Sequence, residues 1–323
     1  MKAAILFFPL FLSIILFAQP VPSDKTTTII SEVSFISGNT LVRGWLYKPV
    51  QTTAQKMPVV VMAPGFSGIK ECSYQHFAKN FAQAGLAVLL FDYPNFGESE
   101  GLPRQEIDPW VQVQAYRDAI SYAASLDILD ASRIGVWGGS YSGGHALVVS
   151  ALDKRIKCMV AMTPFISGNY YWQNMPASSR TFLGQQFNTD RLSRLKGGKP
   201  ALIPVVSNNP NEFCAISGKN AFAFVESFKI IAPTYINQVT LKSLEMQLGY
   251  EPGIYTQYID TIPKLFIIAK NDGMVPEALI QETFDKASEP KQLEFIDGHH
   301  FSPYTDQLDV ASALASQWFK KHL

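Results

Sequence analysis

The chain has 323 residues, and 27 Lys plus Arg balance 27 Asp plus Glu, so its formal net charge is zero. A dedicated nucleic-acid binder would carry a basic excess, and Gly 21 with Pro 20 but no repeat excludes a collagen-like or low-complexity chain. With 47% apolar and only 17% charged residues, a chain of this length can bury about 75% of its unfolded surface, so one large core needs no disulfide staples.

The first segment pairs Lys2 with an apolar run from Ala3 to Ala18, interrupted by Pro9. That is short of the roughly 20 residues of a membrane span. A charged start, an apolar middle and a small residue predict a secretory signal peptide over residues 1–18, cleaved after Ala18, and a mature hydrolytic or binding domain over 19–323. The alternative is an uncleaved anchor. No Cys follows the run to carry a lipid, and no later apolar run reaches spanning length. The expectation is therefore an exported (periplasmic or secreted) protein with no stable membrane span after cleavage. Of the three cysteines, at least one has no partner within the monomer; Cys158, in the run CMVAM, is expected as a buried thiol, and Cys72 and Cys214 form no metal-type spacing with His.

Ser31 to Ile36 alternates, and Leu41 to Tyr47 follows a Ser-Gly-Asn turn, which predicts an antiparallel hairpin. Strand–helix alternation comes next. The expected strands are Pro58–Met62, Ala87–Phe91, Ile134–Trp137, Cys158–Met162, Lys264–Ala269 and Leu293–Ile296. The expected helices are 72–84, one opened by Asp108-Pro109 with Val111, Ala115, Ala119, Tyr122 and Leu126 on one face, Ser142–Leu152, Pro276–Ala287 and Asp306–His322. Repeated units of this kind predict a mainly parallel eight-stranded sheet with helices on both faces. The stretch from about 165 to 260 is too long for a plain loop. It reads as a cap inserted after the sixth strand, with helical periodicity around Ser179–Leu195 and Asn237–Leu248.

The chemistry concentrates in IGVWGGSYSGGH, residues 134–145. A strand, a Ser among small residues and then a helix is the order of a nucleophile elbow, in which a strained turn raises the Ser140 hydroxyl above the sheet edge. Gly138, Ser142 and Gly143 must be small because strand and helix run close together. A Ser hydroxyl needs a base, and the base needs an orienting acid. Asp272 follows the strand KLFIIA on a turn and is the expected acid; Asp297 is the runner-up, only two or three residues from the candidate imidazoles. Those imidazoles are His299 and His300, in FIDGHHFSPY. His145, inside the helix after Ser140, reads as a packed helical residue. His76 and His322 have no partner in sequence, and Asp92, ahead of Ser140 in the chain, reads as a structural turn residue. The oxyanion hole is expected from the backbone N–H of Tyr141 and of Phe66 in the loop APGFSG, where Pro64 has no N–H to give. In the cap, Phe165, Tyr171 and Trp172 are the expected substrate-contacting aromatics, and the alternative is that they form the cap's own small core.

Taken together, these segments resemble the α/β-hydrolase superfamily from about Glu32 to the C-terminus, the cap excepted. RIGVWGGSYSGGHALVVSALDKRIKCMVA, GFSGIKE, NFGESEGLPRQEIDPW and GHHFSPY are similar to a bacterial and fungal subgroup that includes polyketide transferases and is related to dienelactone-hydrolase-like and Xaa-Pro-dipeptidyl-peptidase-like domains. The resemblance implies a Ser140, Asp272, His300 triad, because His300-Phe301 matches the subgroup's Gly-His-Phe while His299 stands where it has Gly. Pro64 stands where its oxyanion loop has His. The function this implies is a secreted serine hydrolase acting on a small-molecule carboxylic ester or thioester through an acyl-enzyme, without metal or organic cofactor. Acyl transfer, peptide cleavage and silent ligand binding are the competing readings.

Overall fold

The computed structural model describes residues 28–50 and 55–323. The signal-peptide reading of residues 1–18 lies outside the described residues. Among the described residues no helix is long and apolar enough to cross a membrane.

Strands β1 (Thr28–Ser37) and β2 (Thr40–Pro49) form the expected hairpin. They are followed by β3 (Met57–Ala63), α1 (Tyr74–Gln83), β4 (Ala87–Phe91), α2 (Pro109–Ser125), β5 (Leu129–Gly139), α3 (Tyr141–Leu152) and β6 (Ile156–Met162). The chain then leaves the sheet through α4 (Gly168–Asn174), α5 (Ala177–Leu195), β7 (Leu202–Pro204), α6 (Lys219–Ile231), β8 (Gln238–Thr240) and α7 (Leu241–Leu248). It returns through a 3-10 turn (Pro252–Tyr258) to β9 (Lys264–Ala269), α8 (Glu277–Asp285), β10 (Lys291–Ile296) and α9 (Leu308–His322).

Eight strands make one sheet in the order β1-β2-β4-β3-β5-β6-β9-β10; β2 is antiparallel to both neighbours, and all pairs from β4 onward are parallel. The central strands are covered on both sides, which is why PVVVM, AVLLF and KLFIIA are continuous apolar runs rather than alternating ones. Helices α1 and α9 pack together, and α2 packs with α3. The insertion follows the sixth strand and contains its own antiparallel β7–β8 ribbon.

Helix α2 differs from expectation in the face it buries. Asp108 caps it by accepting from the Trp110 and Val111 amides at 2.9 and 3.3 Å, but Val111 is exposed and Tyr122 and Leu126 are half-buried. The face turned inward carries Gln112, Tyr116 and Ile120 beside Ala115 and Ala119. It can bury polar atoms because each finds a partner: Tyr116 donates to the Trp137 carbonyl at 2.5 Å and accepts from the Ala63 amide at 3.0 Å, and Gln112 meets His145.

Candidate active site

Strand β5 ends at Gly139 and helix α3 starts at Tyr141, so Ser140 alone makes the turn, with φ 56° and ψ −120°. This left-handed conformation is costly for a residue with a Cβ and persists only where its surroundings over-determine it. Here the Ser140 amide donates to the Met162 carbonyl at 2.8 Å, and its own carbonyl accepts from Phe165 at 2.9 Å and Gly144 at 3.2 Å. Close packing fixes the neighbours as well: a Cβ on Gly138 would collide with the Ser142 carbonyl oxygen, backbone that cannot step aside. Ser142 itself is fully buried and has a use for its hydroxyl, which lies 3.3 Å from both the Tyr93 and Tyr116 phenols.

The loops after β9 and β10 carry the acid and the imidazole to the same place. His300 Nδ1 donates to Asp272 Oδ2 at 2.7 Å, and the Ser140 hydroxyl donates to His300 Nε2 at 2.9 Å. With a carboxylate that only accepts on one side, Nδ1 carries the proton and Nε2 is free to receive one. The other carboxylate oxygen accepts from the Met274 and Val275 amides, each at 2.8 Å, so Asp272 is held from both ends although its side chain is almost wholly buried. The two loops are joined directly by the Asn271 amide, which donates to the Gly298 carbonyl at 3.0 Å; Gly298 adopts φ +114°, where a Cβ would also meet the Ser302 hydroxyl.

The remaining polar candidates lie apart from this chain of hydrogen bonds. His299 is turned away, with Nδ1 accepting from the Phe301 amide at 3.2 Å. Asp297 is exposed and pairs with Lys270. His145 is buried between Tyr250 at 2.7 Å and Gln112 at 2.9 Å, and burial pulls its pKa down to about 3. Asp92 is a turn residue after β4, accepting from the Lys70 amide and ammonium at 2.7 and 2.9 Å. His76 and His322 do not join the site; His322 lies against the Trp318 ring. Cys72 and Cys158 are buried thiols and Cys214 is half-buried and free. Burial pushes Cys72 and Cys158 well above the ordinary thiol value, which makes them unreactive. Among the described residues no group of three His, Cys, Asp or Glu could hold a metal ion.

Of the amides around the elbow, Gly65 is engaged by the Tyr74 hydroxyl at 2.9 Å. Among the described residues the Phe66 and Tyr141 amides have no acceptor; Tyr141 is the first residue of α3, where the helix supplies none. Both residues, with Ser140 and His300, line a cavity of about 270 Å³. Phe165 and Tyr171 line it too, and Tyr171 also donates to the Met274 carbonyl at 2.7 Å. Trp172 does not line it, contrary to expectation: consecutive residues of α4 diverge by about 100° around the axis, so with Tyr171 facing the site Trp172 packs elsewhere on the core. Sequence reasoning missed Gln247, Ile216 and Met274 in the wall. Only the placement of Met274 two residues past Asp272 could have flagged it; the other two come from parts of the insertion with no diagnostic pattern.

Comparison with known proteins agrees with this architecture. The family model described as alpha/beta hydrolase fold matches residues 58–307. A thiohydrolase of Eupenicillium brefeldianum is 33% identical over 285 residues, covering 87% of each chain. The quorum-quenching protein AidA of Acinetobacter baumannii is 30% identical over 270 residues, covering 83% of this chain and 87% of AidA. The polyketide transferase grgF of a Penicillium species is 28% identical over 302 residues, covering 91% and 97%. The crystal structure of the alpha/beta hydrolase GrgF from Penicillium sp. sh18 superposes with a TM-score of 0.79 at 24% identity, over 91% of this chain and 99% of that one. A parallel sheet that presents a strained serine at the end of its central strand, a match over most of the chain and full-length relatives on the same fold lead to one assignment: the chain belongs to the α/β-hydrolase family.

Proposed function

We propose that the protein is a serine hydrolase that cleaves a carboxylic ester or thioester by way of an acyl-enzyme on Ser140. The observation that carries this reading is the unbroken series from Ser140 Oγ to His300 Nε2 at 2.9 Å and from His300 Nδ1 to Asp272 Oδ2 at 2.7 Å, opening on a cavity. In the first step Ser140 Oγ attacks the carbonyl carbon while its proton passes to His300 Nε2. Asp272 stabilises the imidazolium and keeps the ring in its tautomer. The carbonyl oxygen, now negative, is met by the Phe66 and Tyr141 amides. The bond to the leaving group breaks, and that group takes the proton from Nε2. Water then repeats the sequence on the acyl-enzyme and releases the acid, with the proton returned to Ser140.

Hydrolysis is favoured over transfer because the N-terminal charge and apolar run support export, and carrier-bound acyl donors are cytosolic. Export is tested by the intact mass of the protein from an extracytoplasmic fraction, which should lack residues 1–18. The activity is tested with a fluorophosphonate probe and p-nitrophenyl esters on the protein and its Ser140→Ala variant. The expected result is labelling at Ser140 and ester turnover, both lost in the variant. A folded protein that is not labelled overturns the proposal.

A further inference from the structure

A second cavity opens on Ser140 and His300, on the side of Tyr74 and Tyr304 rather than of Tyr141. It is more enclosed than the first and leaves only about 30 Å³. Its walls are apolar: Val205 and Val206 after β7, and Ala221, Phe224, Val225 and Phe228 along α6. Phe224 is clamped, stacked on Phe301 with ring centres 4.7 Å apart and edge-on to Phe228 at 4.8 Å. Tyr74 also lines it and cannot swing aside freely, because its hydroxyl holds the Gly65 amide in the loop after β3. Phe66, Ile216 and Met274 line both cavities and so stand between them. The wider cavity is lined by the polar residues Ser217 and Gln247 as well as by Phe165 and Tyr171.

The order of events assigns the two arms. The leaving group must depart and water must arrive while the acyl group stays bonded to Ser140, so traffic needs the open arm and the acyl group belongs in the enclosed one. At roughly 10–15 Å³ for one water, the enclosed arm admits about two or three non-hydrogen atoms beyond the carbonyl carbon. We infer that helix α6 restricts the substrate to acyl groups of up to about four carbons, and that the wider arm beside Gln247 receives a larger leaving group bearing hydrogen-bonding atoms.

This inference rests on the acyl-enzyme reading above, and the experiment separates the two. The quantity measured is kcat/KM for p-nitrophenyl esters from acetate to octanoate, in the wild type, Phe224→Ala and the milder Val225→Ala, which serves if the first does not fold. The wild type is expected to favour short acyl groups over octanoate by at least about tenfold, and shortening the wall is expected to narrow that ratio by about tenfold. In Gln247→Leu, the ratio of KM for glyceryl butyrate to KM for ethyl butyrate should rise severalfold. Labelling of Ser140 with a chain-length profile that is flat, or that the α6 variants lower uniformly, overturns this inference alone. Absence of labelling overturns the Ser140 reading and this inference with it.

Discussion

Tyr250 donates its hydroxyl proton to His145 Nδ1 across 2.7 Å, so a residue of the insertion satisfies a buried imidazole on the helix that starts just after Ser140. Gln112 accepts from the other ring nitrogen at 2.9 Å, which leaves the ring neutral and fully paired. Tyr141, which lines the cavity at Ser140, lays its ring 4.9 Å from this imidazole.

Because burial pulls His145 from 6.5 to about 3, the folded state resists taking up a proton that the unfolded chain accepts. The stability this group contributes is therefore complete above pH 6.5 and is lost as the pH falls toward 3. At pH 5 the loss relative to pH 7 is about 2 kcal/mol. Urea midpoints at the two pH values measure it. His145→Gln should be less stable at pH 7 yet lose less between pH 7 and 5; an equal loss in both proteins contradicts the assignment.

Asp272→Asn is expected to keep the fold and lower kcat on a p-nitrophenyl ester by about 10⁴. The Met274 and Val275 amides require an oxygen, so they hold the Asn carbonyl and turn its NH₂ toward His300. An NH₂ group donates to Nδ1 and drives the ring proton to Nε2, where it blocks the Ser140 proton. A unchanged melting temperature alongside the loss of turnover would separate this from simple unfolding.

Two glycines should respond in opposite directions. Gly138→Ala forces a Cβ against the Ser142 carbonyl and is expected to cost about 3 kcal/mol, with loss of activity. Gly184 lies in the middle of α5 with no atom within 4 Å of an added Cβ, so Gly184→Ala should stabilise by about 1 kcal/mol. Thermal melts of the two variants give the comparison directly.

Lys70 is almost fully buried, paired with Asp92 at 2.9 Å and Glu98 at 2.5 Å, and sits 4.7 Å over the Trp45 ring. Burial pulls its pKa down, but Asp92 and Glu98 outweigh this and hold it above the ordinary lysine value. Lys70→Met strands the buried Asp92 carboxylate and is expected to cost about 3–5 kcal/mol. Denaturant unfolding at pH 7 tests this; a cost under 1 kcal/mol would mean that the Lys70 and Glu98 amides alone satisfy Asp92.

The core of the sheet was legible because its strands are buried on both faces. AVLLF and KLFIIA have the bounds that their apolar runs suggest, each cut off by a turn residue or a charge. The elbow was legible for a different reason: the requirement for small residues on both sides of one Ser leaves a compositional mark at Gly138, Gly139 and Gly143. The inward face of α2 was not, since an apolar count cannot anticipate that Gln112 and Tyr116 would meet partners from α3 and β5. Nor could the sequence separate Tyr171 from Trp172, adjacent aromatics whose directions depend on where α4 begins. The three-residue strands of the β7–β8 ribbon are too short to carry any alternation.

The bond from the Tyr171 phenol to the Met274 carbonyl has a bearing on how such an enzyme could be re-engineered. Met274 also gives its amide to Asp272, so the peptide units on either side of one residue hold Asp272 and the insertion together. A chimera that replaced the residues between β6 and β9 with a foreign segment would remove a support of the carboxylate, even with Ser140, Asp272 and His300 untouched. Grafts that retain a hydroxyl at the Tyr171 position should start from a working enzyme, and grafts without one should start from a loosened acid.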